Sequence, residues 1–460
     1  MKLPRVLLAA GKSGSGKTLL TCGLLMALQK RGLSVCSFKC GPDYIDPMFH
    51  AKVLGMSSGN LDTYFTSPSR TNLLLGEALP HSDIAVLEGV MGYYDGVGGS
   101  TVQASAYDLA RVTDTPVILI VDAAGMSLSL AAMIQGFISY REDSRIAGVI
   151  LNRMSPSFYP RIKKAVEKVG VPVLGYVPVL PNLHIESRHL GLYLPDEVPS
   201  LLSELSELAS ILEETVKVDE ILRIAGEARP LKGDFSREEW AMEDEAFGYK
   251  SRRPLRIGLA RDEAFCFFYQ ENLRLLRNMG AELIPFSPMR EEHLPEKLDG
   301  LLLYGGYPEL HAKTLSENIS MRREIKEAIE GGLPCMAECG GFLYLHEEMD
   351  AQKGGSYPMA GVIEGKAYRT GHLKRFGYVS LQAKGPVFGN EDLGFIPAHE
   401  FHYYDSTNNG CDFIATKPLS GTQWECLHAK GNLLAGFPHF YYYAVPGLAK
   451  AFLSRCEEFR

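Results

Sequence analysis

Residues 11–18, GKSGSGKT, combine three glycines with a lysine and a threonine at the spacing of a phosphate-binding turn. The stretch follows an apolar run and opens a helical pattern, which is the context that such a turn requires. Glycines let backbone N–H groups curl around phosphate oxygens, and a helix N-terminus favours the bound negative charge. Lys17 would neutralise the outer phosphates, and the Thr18 hydroxyl could bind Mg²⁺. The predicted nucleotide-binding residues of the turn are Gly11, Ser13, Gly14, Ser15, Gly16, Lys17 and Thr18.

Lys12, within the same turn, leaves two interpretations open. A Lys-x-Gly-x-Gly-Lys-Thr arrangement resembles the turns of a group of dimeric ATPases, in which the extra lysine reaches the partner's nucleotide. A solvated lysine explains the residue equally well. We therefore assign no role to Lys12.

Four carboxylates follow at places where a metal–phosphate site would need them. Glu88 ends an apolar run, and the carboxyl end of a buried parallel strand lies at the ligand edge of its sheet. Asp43 and Asp46 follow another apolar run, and Asp95 lies in the loop after Glu88. Each aspartate could instead cap a turn. Thr18 and Glu88 are candidate metal ligands, and the surplus of carboxylates suggests that a second substrate is handled there.

A second reactive candidate is PCMAECGGFLYL, residues 334–345, in which two cysteines stand four residues apart. A structural zinc site would need a second Cys or His pair at short spacing, and no paired motif follows. The pattern instead predicts a strand, a sharp turn at Cys339 and a helix, which is the shape of a nucleophile elbow. The helix start favours a thiolate, and the N–H of Gly340 could stabilise an oxyanion. Cys335 is interpreted as a small buried side chain of the strand.

A nucleophilic cysteine needs a base, and three histidines near the carboxyl end are candidates for it. His439, in GFPHFYYY, is preferred, while His399 and His402, in PAHEFHYYD, remain rivals. The alternative to this chemistry is that Cys339 is merely packed.

The elements that must position these residues form two series along the chain. In the first series, short apolar runs alternate with helical patterns, which predicts a doubly wound parallel sheet. Its predicted strands are 5–10, 33–38, 83–89, 116–121 and 146–151. Its predicted helices are 17–31, 101–112, 127–141 and 157–169, with one or two more within 199–226. Residues 228–253 are charged and without clear period, and are interpreted as a linker.

The second series begins near residue 256 and predicts another α/β domain. Its predicted strands are 256–260, 282–286, 299–304 and 334–338, and its predicted helices are 267–279 and 317–331. The last hundred residues are less regular, and antiparallel strands with functional loops are expected there. Two domains fit a chain of 460 residues.

Composition argues against several classes of function. The net charge is −8 and no basic stripe occurs, so nucleic acid is not the expected partner. No apolar run approaches the roughly 20 residues of a membrane span, and the first apolar stretch is interpreted as a buried strand, not a signal peptide. Nine scattered cysteines, an odd number, favour a reducing cytoplasm over a disulfide framework.

With these residues assembled, the chain resembles the cobyrinic acid a,c-diamide synthase family over nearly its whole length. The long matching stretches are highly specific, because a general P-loop protein has no reason to carry them. They are GKSGSGKT (11–18), FKCGPDYIDPMFH (38–50), EGVMGYYDG (88–96), RHLGL (188–192), ARDEAFCFFYQENL (260–273), GGYPELHAKTLSEN (305–318), AECGGFLYL (337–345), AHEFHYY (398–404) and FPHF (437–440).

The resemblance implies two α/β domains and a set of ligands. An N-terminal P-loop synthetase domain similar to dethiobiotin synthetase would occupy residues 1–227, before the linker at 228–253. A class I glutamine amidotransferase domain with a flavodoxin-like fold would occupy residues 254–460. The implied ligands are ATP as a substrate, Mg²⁺ as a cofactor, L-glutamine, and cobyrinic acid or a related tetrapyrrole. Neither nucleic acid nor membrane is an expected partner, and a homodimer is left open.

The family's amidotransferase chemistry implies roles for three residues of the second domain. Cys339 would attack glutamine, His439 would be its base, and Gly306 would supply the second oxyanion-hole position. Many class I amidotransferases carry Glu two residues after the histidine, whereas Tyr441 stands here. What orients the imidazole is therefore left open.

The family's synthetase chemistry implies roles in the first domain. Asp46 and Glu88 would hold the metal or position the γ-phosphate. Asp43 and Asp95 fall at family positions linked to substrate handling. Asn152, at the end of a strand, matches an adenine contact. Ammonia would have to travel from one domain to the other, so an enclosed route is expected.

Several alternatives remain. The acceptor could be nickel-sirohydrochlorin or cobalt-free hydrogenobyrinic acid, and cobyric acid synthase is a less similar relative. From a different class, the chain could be a nucleotide-switch ATPase whose amidotransferase-like domain only binds.

Overall fold

The computed structural model describes residues 2–180, 187–188, 191–192, 201–231, 233, 235–390 and 392–459. Contacts divide the chain into two compact units, Met1–Phe235 and Ser236–Arg460. The motif at 188–192 lies partly outside the described residues. None of the helices that the structure describes has the length and apolar character needed to cross a membrane.

The first unit is built on a seven-stranded parallel sheet. Its strands are β1 Arg5–Ala10, β2 Val35–Cys40, β3 Ser57–Leu61, β4 Ile84–Glu88, β5 Val117–Asp122, β6 Ile146–Asn152 and β7 Val173–Val177. They lie in the order β3-β2-β4-β1-β5-β6-β7. The short strands β8 Ser187–Arg188 and β9 Gly191–Leu192 pair with each other. The helices are α1 Lys17–Lys30, α2 Ile45–Leu54, α3 Pro68–Gly76, α4 Ala106–Val112, α5 Ser129–Ser139, α6 Tyr159–Glu167, α7 Leu201–Thr215 and α8 Val218–Gly226.

The centre of this sheet explains where a ligand can bind. Every residue of β1 and β4 is buried, and because successive side chains of a strand face opposite sides, both faces of the sheet must be covered. Burying each large aliphatic side chain contributes about 1.5–3 kcal/mol. In the sheet, β1 lies between β4 and β5. Strands β2 to β4 lie on one side of β1, and strands β5 to β7 lie on the other. The carboxyl end of β1 therefore lies at a topological switch point, where such sheets bind their ligands.

The second unit combines a mostly parallel sheet with antiparallel ones. Its strands are β10 Leu255–Ala260, β11 Ala281–Phe286, β12 Gly300–Leu303, β13 Cys335–Glu338, β14 His346–Asp350, β15 Ser356–Pro358, β16 Ile363–Arg369, β17 Arg375–Ala383, β18 Phe395–His402, β19 Tyr404–Ser406, β20 Phe413–Thr416, β21 Gln423–Cys426, β22 His428–Lys430, β23 Leu433–Gly436 and β24 His439–Phe440. Its helices are α9 Arg237–Glu243, α10 Gln270–Asn278, α11 Ala312–Glu317, α12 Ile319–Glu330, α13 Gly340–Leu345 and α14 Pro446–Glu458.

Three sheets arrange these strands. A six-stranded sheet runs β11-β10-β12-β13-β23-β22, and a five-stranded antiparallel sheet runs β21-β20-β17-β18-β24. A four-stranded sheet runs β15-β14-β16-β19. β13 lies inside the first of these sheets with β12 and β23 as parallel neighbours. The turn after β13 therefore projects from the carboxyl edge of a buried parallel sheet.

The alternation predicted from the sequence is observed in both units, with differences at particular elements. The helix predicted over 101–112 begins only at Ala106, because the Ser105 side chain caps it by accepting a hydrogen bond from the N–H of Asp108. No strand was predicted at β3, because its polar residues SSGNL form no apolar run. The stretch predicted as a linker contains α9, whose Trp240 is buried and packs against Phe247.

Candidate active sites

The phosphate-binding turn joins β1 to α1. Gly14 and Gly16 have φ angles of 73° and 86°, in the left-handed region that residues with a Cβ rarely adopt, so glycine is needed at both. The buried Nζ of Lys17 donates hydrogen bonds to the carbonyl oxygens of Lys12 at 3.3 Å and Met91 at 2.5 Å. Burial and the nearby ammonium of Lys39 lower the pKa of Lys17 to about 8. A phosphate bound here would raise this pKa again and keep Lys17 fully charged, because it adds a negative partner.

The side chain of Asn152, at the end of β6, contacts the backbone of the turn. Its Nδ2 donates a hydrogen bond to the carbonyl oxygen of Ser15 at 2.9 Å. A Cβ at Gly16 would lie 2.5 Å from that Nδ2 atom, which gives a second reason for glycine at this position. The structure thus shows Asn152 in contact with the turn itself, and its contact with adenine stays a prediction.

Next to the turn, side chains from α1, β2, α2 and β4 form a buried cluster of opposite charges. The Thr18 hydroxyl donates to Glu88 Oε1 at 2.6 Å and lies 3.5 Å from Asp46 Oδ2. Lys39 places its Nζ 2.5 Å from Asp46 Oδ2 and 2.9 Å from Glu88 Oε1. Burial lowers the pKa of Lys39, but the two carboxylates outweigh burial and hold that pKa well above its usual value. The lysine therefore remains charged and neutralises part of the cluster.

The donor atoms of Thr18, Asp46 and Glu88 fit Mg²⁺. This ion prefers hydroxyl, carboxylate, phosphate and water oxygens, and usually takes only one or two carboxylates from a protein. Glu88 Oε2 is buried and makes no hydrogen bond within the described part of the chain, although His50 Nε2 lies 3.5 Å away. Across the described ranges, no three or more His, Cys, Asp or Glu side chains form a metal site by themselves. Nucleotide phosphates and water would have to complete the coordination.

The two remaining predicted aspartates flank this cluster. Asp43 Oδ1 accepts hydrogen bonds from the backbone N–H groups of Ile45, at 2.8 Å, and Asp46, at 3.4 Å, so it holds the start of α2. Asp95 is exposed, and its Oδ2 accepts a hydrogen bond from the N–H of Gly92 at 2.9 Å. Both aspartates thus accept hydrogen bonds from backbone N–H groups of a turn, as the alternative to a catalytic role requires. Both also lie close to the charged residues of the site.

In the second unit, Cys339 stands at a sharp turn between β13 and α13. Its φ is 44° and its ψ is −100°, a strained conformation for a residue with a Cβ, which costs about 1–3 kcal/mol. Such strain at a half-buried thiol is typical of a nucleophile elbow. Cys335, four residues earlier, is fully buried, and burial raises the pKa of its thiol well above its usual value. The two cysteines are therefore separated as predicted into a packed thiol and an accessible one.

Two glycines form the neighbourhood in which an oxyanion would be stabilised. A Cβ at Gly340 would lie 3.0 Å from the backbone nitrogen of Gly306, so the two residues approach each other closely in front of Cys339. Gly306 has a φ of 157°, and a Cβ there would meet the carbonyl oxygen of Ala264 at 2.2 Å. The structure brings together the two predicted oxyanion-hole residues, and only glycine fits at Gly306.

His439 lies between Cys339 and a carboxylate that the sequence analysis did not assign. The imidazole makes a side-chain hydrogen bond with Cys339, and its Nδ1 lies 3.3 Å from Glu338 Oε2. Burial lowers the pKa of His439, but Cys339 and Glu338 outweigh burial and raise it to about 10. At neutral pH the imidazole is therefore protonated, and it lies between the Cys339 side chain and the Glu338 carboxyl group.

The rival histidines do not have this arrangement. His399 is the register partner of His439 across β18 and β24, yet burial lowers its pKa to about 3. Burial likewise lowers the pKa of His402 to about 3, and its Nδ1 is bonded to the carbonyl oxygen of Tyr404. Among the three candidates, His439 is the one placed to act as the base.

Comparisons with known proteins cover both units. A family model described as a CobQ/CobB/MinD/ParA nucleotide binding domain matches residues 6–192, and one described as a CobB/CobQ-like glutamine amidotransferase domain matches residues 256–444. A cobyrinate a,c-diamide synthase of Caldanaerobacter subterraneus is 38% identical over 99% of this chain and 99% of its own. The chain belongs to the cobyrinate a,c-diamide synthase family.

Other members of the family support the same conclusion. The cobyrinate a,c-diamide synthase of Listeria innocua is 38% identical, over 96% of this chain and 97% of its own. That of Thermoplasma volcanium is 38% identical, over 99% of this chain and 98% of its own. Membership confirms the resemblance and the fold class of a P-loop domain followed by a glutamine amidotransferase domain. It also confirms that the chain is an enzyme, a ligase that takes nitrogen from glutamine.

Two charged residues in contact with the predicted site residues were not predicted, although both lie in quoted motifs. Lys39 lies in FKCGPDYIDPMFH, and Glu338 immediately precedes the nucleophile. The available indication was the same in each case, namely a charged residue at the end of an otherwise apolar strand. A buried charge almost always has a partner, so each of them pointed to one.

Proposed function

We propose that this enzyme uses ATP and glutamine to convert the a and c acetate carboxylates of cobyrinic acid into amides, a step of cobalamin biosynthesis. The observation that carries the proposal is the full-length similarity to relatives named for this reaction. The two sites supply the chemistry, because a phosphate-binding turn activates a carboxylate and a Cys–His pair releases ammonia.

Activation in the first unit makes the carboxylate reactive. A carboxylate oxygen attacks the γ-phosphorus of ATP, the bond from that phosphorus to the ADP oxygen breaks, and an acyl phosphate forms. Lys17 neutralises charge that builds up on the transferred phosphoryl group. Bound Mg²⁺ would be held by Thr18, Asp46 and Glu88 and would offset phosphate charge. Asn152 is proposed to contact the adenine as well as the turn.

Glutamine hydrolysis in the second unit supplies the nitrogen. The Cys339 sulfur attacks the amide carbon of glutamine, and the N–H groups of Gly306 and Gly340 stabilise the oxyanion. The His439 imidazolium gives its proton to the departing nitrogen, so ammonia leaves and a thioester remains. Water then attacks the thioester while His439 takes a proton, which yields glutamate and regenerates the thiolate.

Amide formation completes the cycle. Ammonia attacks the acyl carbon, the bond from that carbon to the phosphate oxygen breaks, and the nitrogen loses a proton. Phosphate is a good leaving group, whereas the oxide of a free carboxylate is not. Asp43 and Asp95 are proposed to handle the tetrapyrrole during these steps, since both lie beside the charged cluster.

The test compares acceptors with purified enzyme. Cobyrinic acid, hydrogenobyrinic acid and nickel-sirohydrochlorin are each incubated with ATP, Mg²⁺ and glutamine, and the products are identified by mass spectrometry. Conversion of two carboxyl groups of cobyrinic acid into amides is expected, each seen as the mass change that accompanies replacement of a hydroxyl by an amino group. No turnover of the corrinoid, with or without turnover of nickel-sirohydrochlorin, would contradict the proposal.

A further inference from the structure

A cavity of about 460 Å³ opens in the first unit beside the start of the phosphate-binding turn. Its lining includes Gly11 of the turn, Tyr94 and Asp95 of the loop after β4, Gly136 and Phe137 in the last turn of α5, and Arg141 just after that helix. The predicted site residues did not include any position on α5. The volume falls within the range of ordinary ligand pockets, which take the reacting part of a substrate.

The aromatic wall of the cavity is held in place. The Tyr94 hydroxyl donates a hydrogen bond to the carbonyl oxygen of Phe137 at 2.7 Å. The two rings are stacked, with centroids 5.9 Å apart and planes 10° apart. Tyr140 packs edge-on against Tyr94, with a centroid distance of 4.9 Å. A wall of this kind suits a flat apolar surface, because the rings lose little conformational freedom on contact.

Gly136 leaves part of the α5 surface bare. A Cβ at this position would have no atom within 4 Å, so the glycine is not explained by crowding. Glycine inside a helix is also unfavourable relative to alanine. Because Gly136 has no side chain, this bare strip of the helix surface lets a flat ligand approach the helix backbone closely. Such an approach would account for glycine at this position.

Arg141 gives the cavity a positive rim. It is exposed, its guanidinium lies 5.2 Å from the centroid of the Tyr140 ring, and it makes no ion pair among the residues that the structure describes. A guanidinium matches the geometry of a carboxylate. It is therefore suited to a ligand that combines a flat apolar body with acidic side chains.

The cavity also borders the phosphate-binding turn and the loop that contacts Lys17. Gly11 borders both the cavity and the turn, and a Cβ at Gly92 would lie 2.8 Å from the Gly11 carbonyl oxygen. Lys17 Nζ donates to the carbonyl oxygen of Met91, one residue before Gly92. A ring seated against α5 would thus lie next to the turn at which Lys17 is proposed to neutralise phosphate.

We propose that this cavity binds the rim of the carboxylated macrocycle. The apolar edge of the macrocycle would contact Phe137 and the bare strip at Gly136. Arg141 pairs with a peripheral carboxylate that is not the one being activated. The inference rests on the proposed function and deepens it, since it locates where the tetrapyrrole is recognised.

The test fills the cavity without removing any contact. In the full-length enzyme, Gly136→Leu is expected to raise the KM for cobyrinic acid about tenfold or more while kcat at saturation falls less, the pattern of lost substrate binding. The KM for ATP and the glutaminase rate should stay unchanged. Gln135→Leu, which adds the same side chain one position away, is the matched control and should keep the wild-type KM for cobyrinic acid.

Variants of Arg141 provide a second, independent test in case Gly136→Leu lowers the unfolding temperature. Arg141→Gln is expected to raise the KM for cobyrinic acid, and Arg141→Lys should recover part of the loss because it keeps the charge. Wild-type KM values for cobyrinic acid in both Gly136→Leu and Arg141→Gln would overturn the inference and leave the proposed function intact. Failure of the wild-type enzyme to amidate any tetrapyrrole would overturn the proposed function, and this inference with it.

Discussion

Glu338 Oε2 lies 3.3 Å from His439 Nδ1, and both side chains are 3% exposed. The carboxylate comes from the residue directly before the nucleophile, whereas Tyr441 occupies the place two residues after the histidine. The other oxygen of Glu338 is buried and has no hydrogen-bond partner within the described chain. We infer that Glu338 orients the imidazole and stabilises its charge.

Replacing this carboxylate should change the titration of the catalytic pair. The pKa of His439 is raised to about 10, so the imidazolium persists at neutral pH and is lost as the pH rises through about 10. Glu338→Gln removes one of the charges that raise this pKa. The alkaline limb of the glutaminase rate should therefore move to lower pH, and kcat for glutamine should fall more than KM rises.

Alkylation of the thiol by iodoacetamide checks the same inference without any tetrapyrrole. Cys411 is exposed and Cys339 half-buried, while the other seven cysteines are buried, so the measurement is made in a Cys411→Ser background. Glu338→Gln should slow alkylation at pH 7, because less thiolate is paired with imidazolium. An alkylation profile and a glutaminase profile identical to those of the parent would show that Glu338 is only structural.

Cys339→Ala should separate the two half-reactions. We expect glutamine-dependent amidation to disappear and amidation from added ammonium to continue, since the acyl phosphate forms in the other unit. Both rates are followed by mass spectrometry of the tetrapyrrole product. Cys411→Ser is the control and should retain both. Equal loss from glutamine and from ammonium would mean that Cys339 acts as a structural residue.

Lys17→Ala should abolish amidation with either nitrogen source, because activation precedes the use of nitrogen. The pKa of Lys17 is about 8 and the ammonium is buried at the turn, so removing it leaves phosphate charge unbalanced. ADP release in the presence of tetrapyrrole measures the effect directly. Lys30→Ala, at the exposed end of the same helix, should keep the wild-type rate. Ammonium-dependent synthesis that survives in Lys17→Ala would refute the assigned role.

The residues that the sequence located and those that it missed differ in a physical way. The turn at 11–18 and the elbow at Cys339 are local, since the spacing of glycines around one strand–helix junction is enough to predict them. Lys39 depends on sheet order, because it meets Glu88 only as its register partner across β2 and β4. His439 could be predicted from its motif, but its contact with Glu338 could not, because β24 and β13 belong to two different sheets. A one-dimensional pattern contains no register, so partners across strands had to come from the structure.

Lys39→Met should show whether the buried ammonium takes the place of a metal charge. Lys39 bridges Asp46 and Glu88, and removing one partner of a buried ion pair typically costs about 3–5 kcal/mol because the remaining charges are left unpaired. Although burial raises the pKa of Glu88, Lys39 and His50 hold it well below its usual range. Without the lysine, we expect this pKa to rise, so protonation of the carboxylates on acidification should relieve the destabilisation.

Urea unfolding at pH 5 and pH 7 measures this effect, and the deficit of Lys39→Met relative to wild type should be smaller at pH 5. Added Mg²⁺ should also raise the unfolding temperature of the variant more than that of the wild type, since the metal can then neutralise both carboxylates. Lys30→Ala again serves as the control. A deficit that is independent of both pH and Mg²⁺ would mean that Lys39 contributes packing alone, and that the cluster of Thr18, Asp46 and Glu88 does not attract a cation.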